Sequence, residues 1–196
     1  MLLVEGPDDD SVIWHLNDRS PSSLEFQIIK KNSVEQVVAS LATEAVLPGR
    51  TALGIVVDAN SSVPARWQSI GDHLSDAKIQ LPPQPDPSGT VVLPREPGQP
   101  TVGVWLMPDN VNSGELENFV SDLIPVGDTV WPHAQDYIAG LLSDDRPPQP
   151  AKAEVHAWLA VRTEGSQMGT SVRAGAFDLG RPAARSFLDW LRRVFG

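Results

Sequence analysis

The side chains in this 196-residue chain best suited to chemistry are acids placed where apolar runs stop. Met1, Leu2, Leu3 and Val4 run straight into Glu5, which is followed by Gly6, Pro7 and the aspartates Asp8, Asp9 and Asp10. Leu53 to Val57 stops at Asp58, with Asn60 two residues on, and Val104 to Met107 is followed by Pro108 and Asp109, then Glu115 and Glu117. If the three runs are neighbouring parallel strands, these acids meet at one sheet edge, and converging carboxylates are the donor set of a hard divalent cation. Glu5, Asp9, Asp58, Asn60, Asp109 and Glu117 are therefore the candidate metal ligands, with Glu5 also a candidate general base. Simpler roles stand beside these. Asp8, Asp10 and Glu115 suit the positive end of a helix. Asn60 reads equally as an amide ligand or as part of an Asx turn, and Glu117 equally as a ligand or as a first-turn acid.

The elements that would position these residues follow from periodicity. Asp8 to Leu16 predicts a short helix with Val12, Ile13 and Leu16 on one face. A strand is expected over Leu24 to Ile29, then a helix opened by the capping-box spacing of Ser33 and Gln36. Ala52 to Val57 reads as a strand covered on both faces, and a helix with Trp67, Ile70 and Leu74 inward follows Pro64. The β-α-β-α-β-α order points to a parallel sheet. Leu81 to Pro100 carries seven prolines in twenty residues and predicts an exposed insertion or hairpin, with Thr90 to Leu93 as a short strand. A core strand over Thr101 to Met107 precedes a helix presenting Leu116, Phe119, Val120 and Leu123. The next helix presents Val130, Ala134, Tyr137, Ile138 and Leu141. Residues 1–143 thus form one α/β domain, 144–150 a linker and 151–196 a helical extension packed on the same domain. Within the extension, helices are expected over Lys152 to Val161 and Ala183 to Phe195, with the glycine-rich 164–180 unassigned.

Composition narrows the chemistry. Cysteine is absent, which removes disulfides, thiolate catalysis and cysteine-ligated zinc. No apolar run reaches the roughly 20 residues a membrane helix needs, and no secretory pattern opens the chain, so the expected location is cytoplasmic. Net charge is −10: residues 1–150 carry 8 basic against 21 acidic side chains, residues 151–196 carry 7 against 4. Such a chain is a poor passive coat for nucleic acid, though bound cations would offset the local charge. His15, His73, His133 and His156 lack ligand spacing, and neither a Walker loop, a G-x-G-x-x-G fingerprint nor a nucleophile elbow occurs. Trp67, Trp105, Trp131, Trp158 and Trp190 are mostly core candidates.

Taken in order, Glu5-Gly6 with downstream acids after the first strand and Asp58-Ala59-Asn60 after the third resemble the Toprim domain of topoisomerases, primases, recombination proteins and OLD-type nucleases. The resemblance covers most of residues 1–165 and implies a compact Rossmann-like sheet with helices on both faces. It implies a general acid/base at Glu5 and a magnesium ligand at Asp58, while Asn60 departs from the family's second aspartate. Asp9 is similar to the second acid of OLD-type nucleases. Leu106-Met107-Pro108-Asp109-Asn110 with Gly114-Glu115-Leu116-Glu117, then Lys152 before His156-Ala157-Trp158, look like small stand-alone bacterial Toprim-like proteins.

The expectation that results is a nuclease dependent on Mg2+ (or Mn2+), with Lys152 stabilising charge on phosphate, acting on DNA or RNA. Arg173, Arg181, Arg185, Arg192 and Arg193 could meet a nucleic-acid backbone, although solvated helix surface is the simpler reading of most of them. Two alternatives remain open: a degenerate Toprim module that binds a partner such as a separate ATPase, and a receiver-like phosphoacceptor.

Overall fold

The computed structural model describes residues 1–162 and 167–196. Five strands, β1 (Leu2–Val4), β2 (Ile28–Lys30), β3 (Ala52–Asp58), β4 (Thr90–Val92) and β5 (Thr101–Met107), form one sheet in the order β2-β1-β3-β5-β4. All neighbours are parallel except β4, which runs antiparallel to β5 at the edge. The helices are α1 (Pro7–Asp18), α2 (Val34–Ala45), α3 (Val63–Ser75), α4 (Leu116–Ser121), α5 (Trp131–Ala139), α6 (Pro150–Leu159), α7 (Met168–Ala174) and α8 (Pro182–Phe195).

The sheet is covered on both faces, as continuous apolar strands require. On one face Leu3, Leu53, Ile55, Val57, Val102, Val104 and Leu106 meet α2 and α3 through Val37, Leu41, Trp67, Ile70 and Leu74. On the other, Leu2, Val4, Val56, Trp105 and Met107 meet α1, α4, α6, α7 and α8. This is a Rossmann-like α/β architecture. Helix α8 covers the middle of the sheet. Gly103 in β5 lets it approach: a Cβ there would stand 2.2 Å from Val194 Cγ2. Phe187, Trp190 and Trp105 form an aromatic cluster, with Trp105 edge-on to Phe187 at 5.1 Å between centroids.

Several elements differ from expectation, each for a local reason. Strand β2 begins only at Ile28, because Asn17 at the end of α1 takes both main-chain groups of Leu24, at 2.9 and 3.0 Å, in place of a ladder. The proline-rich stretch is not wholly exposed. Thr90 is buried in β4, its carbonyl accepts Trp190 Nε1 at 3.1 Å, and Gly89 lies against Trp190 and Trp105 with φ +89°. Tyr137 points outward, 63% exposed, because α5 turns Ala134 and Ile138 to the core. Helix α4 spans only six residues, so Leu123 is buried from the turn beyond it. In the glycine-rich stretch α7 forms, while the beginning, 163–166, lies outside the described residues.

Candidate functional site

In the order β2-β1-β3-β5-β4 the chain leaves β1 toward one side and returns past it to β3, so the connections diverge between β1 and β3. In open α/β sheets, ligands bind at the carboxyl ends of the strands flanking such a point. Glu5 follows the last residue of β1 and Asp58 is the last of β3. They meet: Glu5 Oε1 accepts the Asp58 main-chain N–H at 2.7 Å. Asp58 Oδ1 in turn accepts the N–H of Leu116, the first residue of α4, at 2.9 Å. The start of that helix is an uncompensated set of N–H donors, so the carboxylate has a defined partner there.

Asp9 is held at the start of α1 by reaching back to the N-cap main chain, the half of a capping box that Gly6, lacking a side chain, still allows. It sits in the first turn of α1, and its Oδ2 accepts the Gly6 N–H at 3.0 Å. Glu117, in the first turn of α4, is 4% exposed and its Oε1 binds Lys152 Nζ of α6 at 2.9 Å. The Lys152 side chain keeps 47% of its surface in solvent. Each of the four carboxylates therefore has one oxygen held by a protein donor.

The Asp58 carboxyl feels the charges of the other three. Burial, then the charges of Glu5, Asp9, Glu117 and Glu115, push the Asp58 carboxyl up to about 8. Burial, then the charges of Glu5 and Glu117, push Asp9 up to about 7 against the pull of the Gly6 N–H. Glu5 is raised as well, mainly by burial, with the Asp58 N–H and the Arg66 charge opposing. The hydrogen bond to Glu117 leads the causes that raise Lys152.

One candidate ligand, Asp109, stands apart. Asp109 spends its carboxylate on its own loop, accepting from Val111 N at 3.0 Å and from Asn112 N and Nδ2 at 2.7 Å each. Burial raises its pKa, but these donors outweigh it and hold the carboxyl below the ordinary aspartate value; the cluster carboxyls do not feel its charge among their main perturbers. Asn60 is exposed in a left-handed conformation, φ 52°, with its main chain bridged to Gly114 at 2.8 Å. Its side-chain amide makes no Asx-turn hydrogen bond and has no protein partner among the described residues.

One residue that the sequence reading passed over is present. Arg66, in the second turn of α3, donates from Nε to the Asp58 carbonyl at 3.1 Å. Nothing in its spacing separates it from any helix-surface arginine. A groove of about 930 Å³ lies between α3 and the proline-rich segment, with Val63, Trp67, Leu81, Pro82, Asn110 and Val111 in its wall and none of the candidate ligands lining it.

Buried, mutually repelling carboxylates are the donor chemistry a hard divalent cation takes. Among the described residues, however, no group of three or more acidic or histidine side chains already stands arranged to hold an ion. The donor set fits in type, and the oxygens not held by protein donors would have to close up around the ion.

Fold and cluster together define an α/β protein of Rossmann-like architecture with a cluster of acids at its topological switch. The family model that matches spans residues 1–196 and is described as a protein of unknown function, DUF3226; the chain belongs to that family. Neither a curated protein nor a solved structure matches the chain.

Proposed function

We propose that this protein is a divalent-metal-dependent phosphodiesterase acting on nucleic acid, a nuclease of the Toprim kind. The observation that carries the reading is the 2.7 Å hydrogen bond joining Glu5 to the Asp58 main chain at the switch point, with the charges of Glu5, Asp9 and Glu117 all bearing on the Asp58 carboxyl. Glu5, Asp9, Asp58 and Glu117 would hold Mg2+ or Mn2+. When bound, such an ion polarises a phosphate and lowers the pKa of a water. The protein's own groups supply the rest. Burial raises the Glu5 carboxyl from its ordinary value, the direction that suits a general acid/base. Its Oε2 is the atom to which a proton from an attacking water would pass. Lys152 Nζ spends one proton on Glu117 and keeps two for a phosphate oxygen, where charge builds up in the transition state.

A second reading has an observation of its own. Asn60 replaces a carboxylate with an exposed amide, and the carboxylates are not arranged around an ion as they stand. Both favour a Toprim-like module that binds a partner, such as a separate ATPase, and does no chemistry. The receiver-like alternative has less support, since Lys152 is borne on a helix and already engaged with Glu117.

One experiment separates the three. Plasmid, single-stranded DNA and RNA are incubated with Mg2+ or Mn2+ and the wild type, Glu5→Gln or Asp58→Ala, each variant first checked for cooperative melting. A nuclease cuts in metal and both variants lose the cut. Equal cutting by the folded variants removes the reading. No cutting, with no rise in melting temperature on adding metal, leaves the binding module, and phosphate uptake at Asp58 from acetyl phosphate would mark the phosphoacceptor.

A further inference from the structure

Arg66 has no part in the arrangement so far beyond touching the Asp58 carbonyl, yet its setting is unusual. Ser62 caps α3 by accepting the Ala65 N–H at 3.3 Å, so only four residues separate β3 from the helix, which brings Arg66 back to the strand's end. The guanidinium is tethered there through Nε. Its charge lowers the pKa of Glu5, and it also reaches Glu35 in the first turn of α2. It nonetheless forms no ion pair with either, and among the described residues neither terminal nitrogen has a hydrogen-bond partner. Arg50 and Arg162, by contrast, each spend a terminal nitrogen on a carboxylate, Glu44 and Asp128. A half-buried guanidinium has thus been anchored by one nitrogen, beside an acidic cluster, with its fork unspent.

We propose that Arg66 grips a phosphate of the nucleic-acid substrate, its two terminal nitrogens meeting two non-bridging oxygens while Nε stays on the Asp58 carbonyl. This deepens, and rests on, the reading of the Glu5–Asp58 cluster as a phosphodiester site. The planar fork matches two phosphate oxygens, a geometry that lysine cannot supply. Tethering through Nε means that much of the side-chain entropy is spent before the ligand arrives. The need is also evident: an anionic backbone approaching several carboxylates on a chain of net charge −10 requires fixed positive charge at the point of contact. Lys152 supplies it from the α6 side and Arg66 from the α3 side, so the phosphate path runs between them, across the ends of β1 and β3.

The test is direct binding without turnover. Short fluorescein-labelled single-stranded DNA and RNA oligonucleotides are titrated with protein in Ca2+ over a range of salt concentrations. The wild type is compared with Arg66→Ala, Arg66→Lys and, as an equal loss of charge, Arg95→Ala in the exposed loop before β5. Arg66→Ala is expected to weaken binding about tenfold and to lower the slope of log affinity on log salt by about one. Arg66→Lys should keep the slope but bind more weakly than wild type, and Arg95→Ala should change neither. Melting curves run alongside, and since Arg66→Lys retains the charge, the comparison survives if the alanine variant folds poorly. Arg66→Ala with the slope and affinity of Arg95→Ala overturns the proposal, as does a wild type that binds neither oligonucleotide. Turnover in Mg2+ separates this from the broader reading. Binding that depends on Arg66 without any cutting sinks the nuclease and keeps the grip. Cutting with an unchanged KM in Arg66→Ala keeps the nuclease and sinks the grip.

Discussion

At the scale of single residues, the informative feature is the cost of the acid cluster. Asp9 and Asp58 have carboxyls pushed up to about 7 and about 8 from an ordinary value of 3.8, by burial first and then by the charges of neighbouring acids, Glu5 and Glu117 on both and Asp9 on Asp58. In the unfolded chain both would lose their protons near pH 4. Between that pH and about 8 the folded state therefore binds more protons, and stability must fall as pH rises through this window. Asp109 and Asp128, held below the ordinary value, act oppositely: their stabilisation is lost as pH falls below about 4. Metal-free protein should thus be most stable in mild acid, near pH 5, with a urea midpoint that declines toward pH 8.5. Asp58→Asn keeps an acceptor for the Leu116 N–H and removes the repulsion. It should flatten that decline and gain about 1–3 kcal/mol at pH 8. A midpoint that rises from pH 5 to 8.5 in the wild type would show that these carboxyls do not repel one another.

At the scale of elements, the site depends on how closely helices lie on strands. Helix α8 reaches β5 because Gly103 has no side chain; a Cβ would meet Val194 Cγ2 at 2.2 Å and Trp190 Cζ2 at 3.1 Å. Gly103→Ala should therefore cost about 1–3 kcal/mol through overpacking, read as a lower urea midpoint with an unchanged m-value. Equal stability would mean that α8 can lift away freely. On the site side, α5 and α6 are locked together by Asp128. It caps α5 through Val130 N and Trp131 N, at 2.9 and 2.8 Å, and ties down α6 through Trp158 Nε1 at 3.0 Å and through Arg162 beyond its end at 2.6 Å. Helix α6 carries Lys152, so a residue that touches no candidate ligand still helps place the cation beside Glu117.

At the scale of the whole molecule, the last helix belongs to the core. Phe187, Trp190, Leu191 and Val194 lie in the same apolar cluster as Leu2, Val56 and Trp105. A chain ending before Pro182 would bare that face of the sheet. It should show no cooperative thermal transition, and a cooperative melt near that of the full chain would count against this account. No described helix is long and apolar enough to cross a membrane.

Much of this architecture was legible in the residues alone. The β-α alternation, the stripes of α2 and α3, the capping of Ser33 and the covered run of β3 are local patterns, and local geometry enforces them. The positions of Glu5 and Asp58 at strand ends were equally readable, because an apolar run that stops at an acid marks where a strand leaves the core. What the chain order could not supply was distance. Asp9, Asp58 and Glu117 become neighbours only because the sheet places β1 beside β3 and α4 turns its first N–H onto Asp58. Asp109 looks equivalent along the chain, yet a turn of its own absorbs its oxygens. Arg66 carries no local mark at all, and its anchoring on the Asp58 carbonyl exists only once strand and helix are folded together. Local periodicity is written residue by residue; the approach of two side chains fifty positions apart is settled by the packing of everything between them.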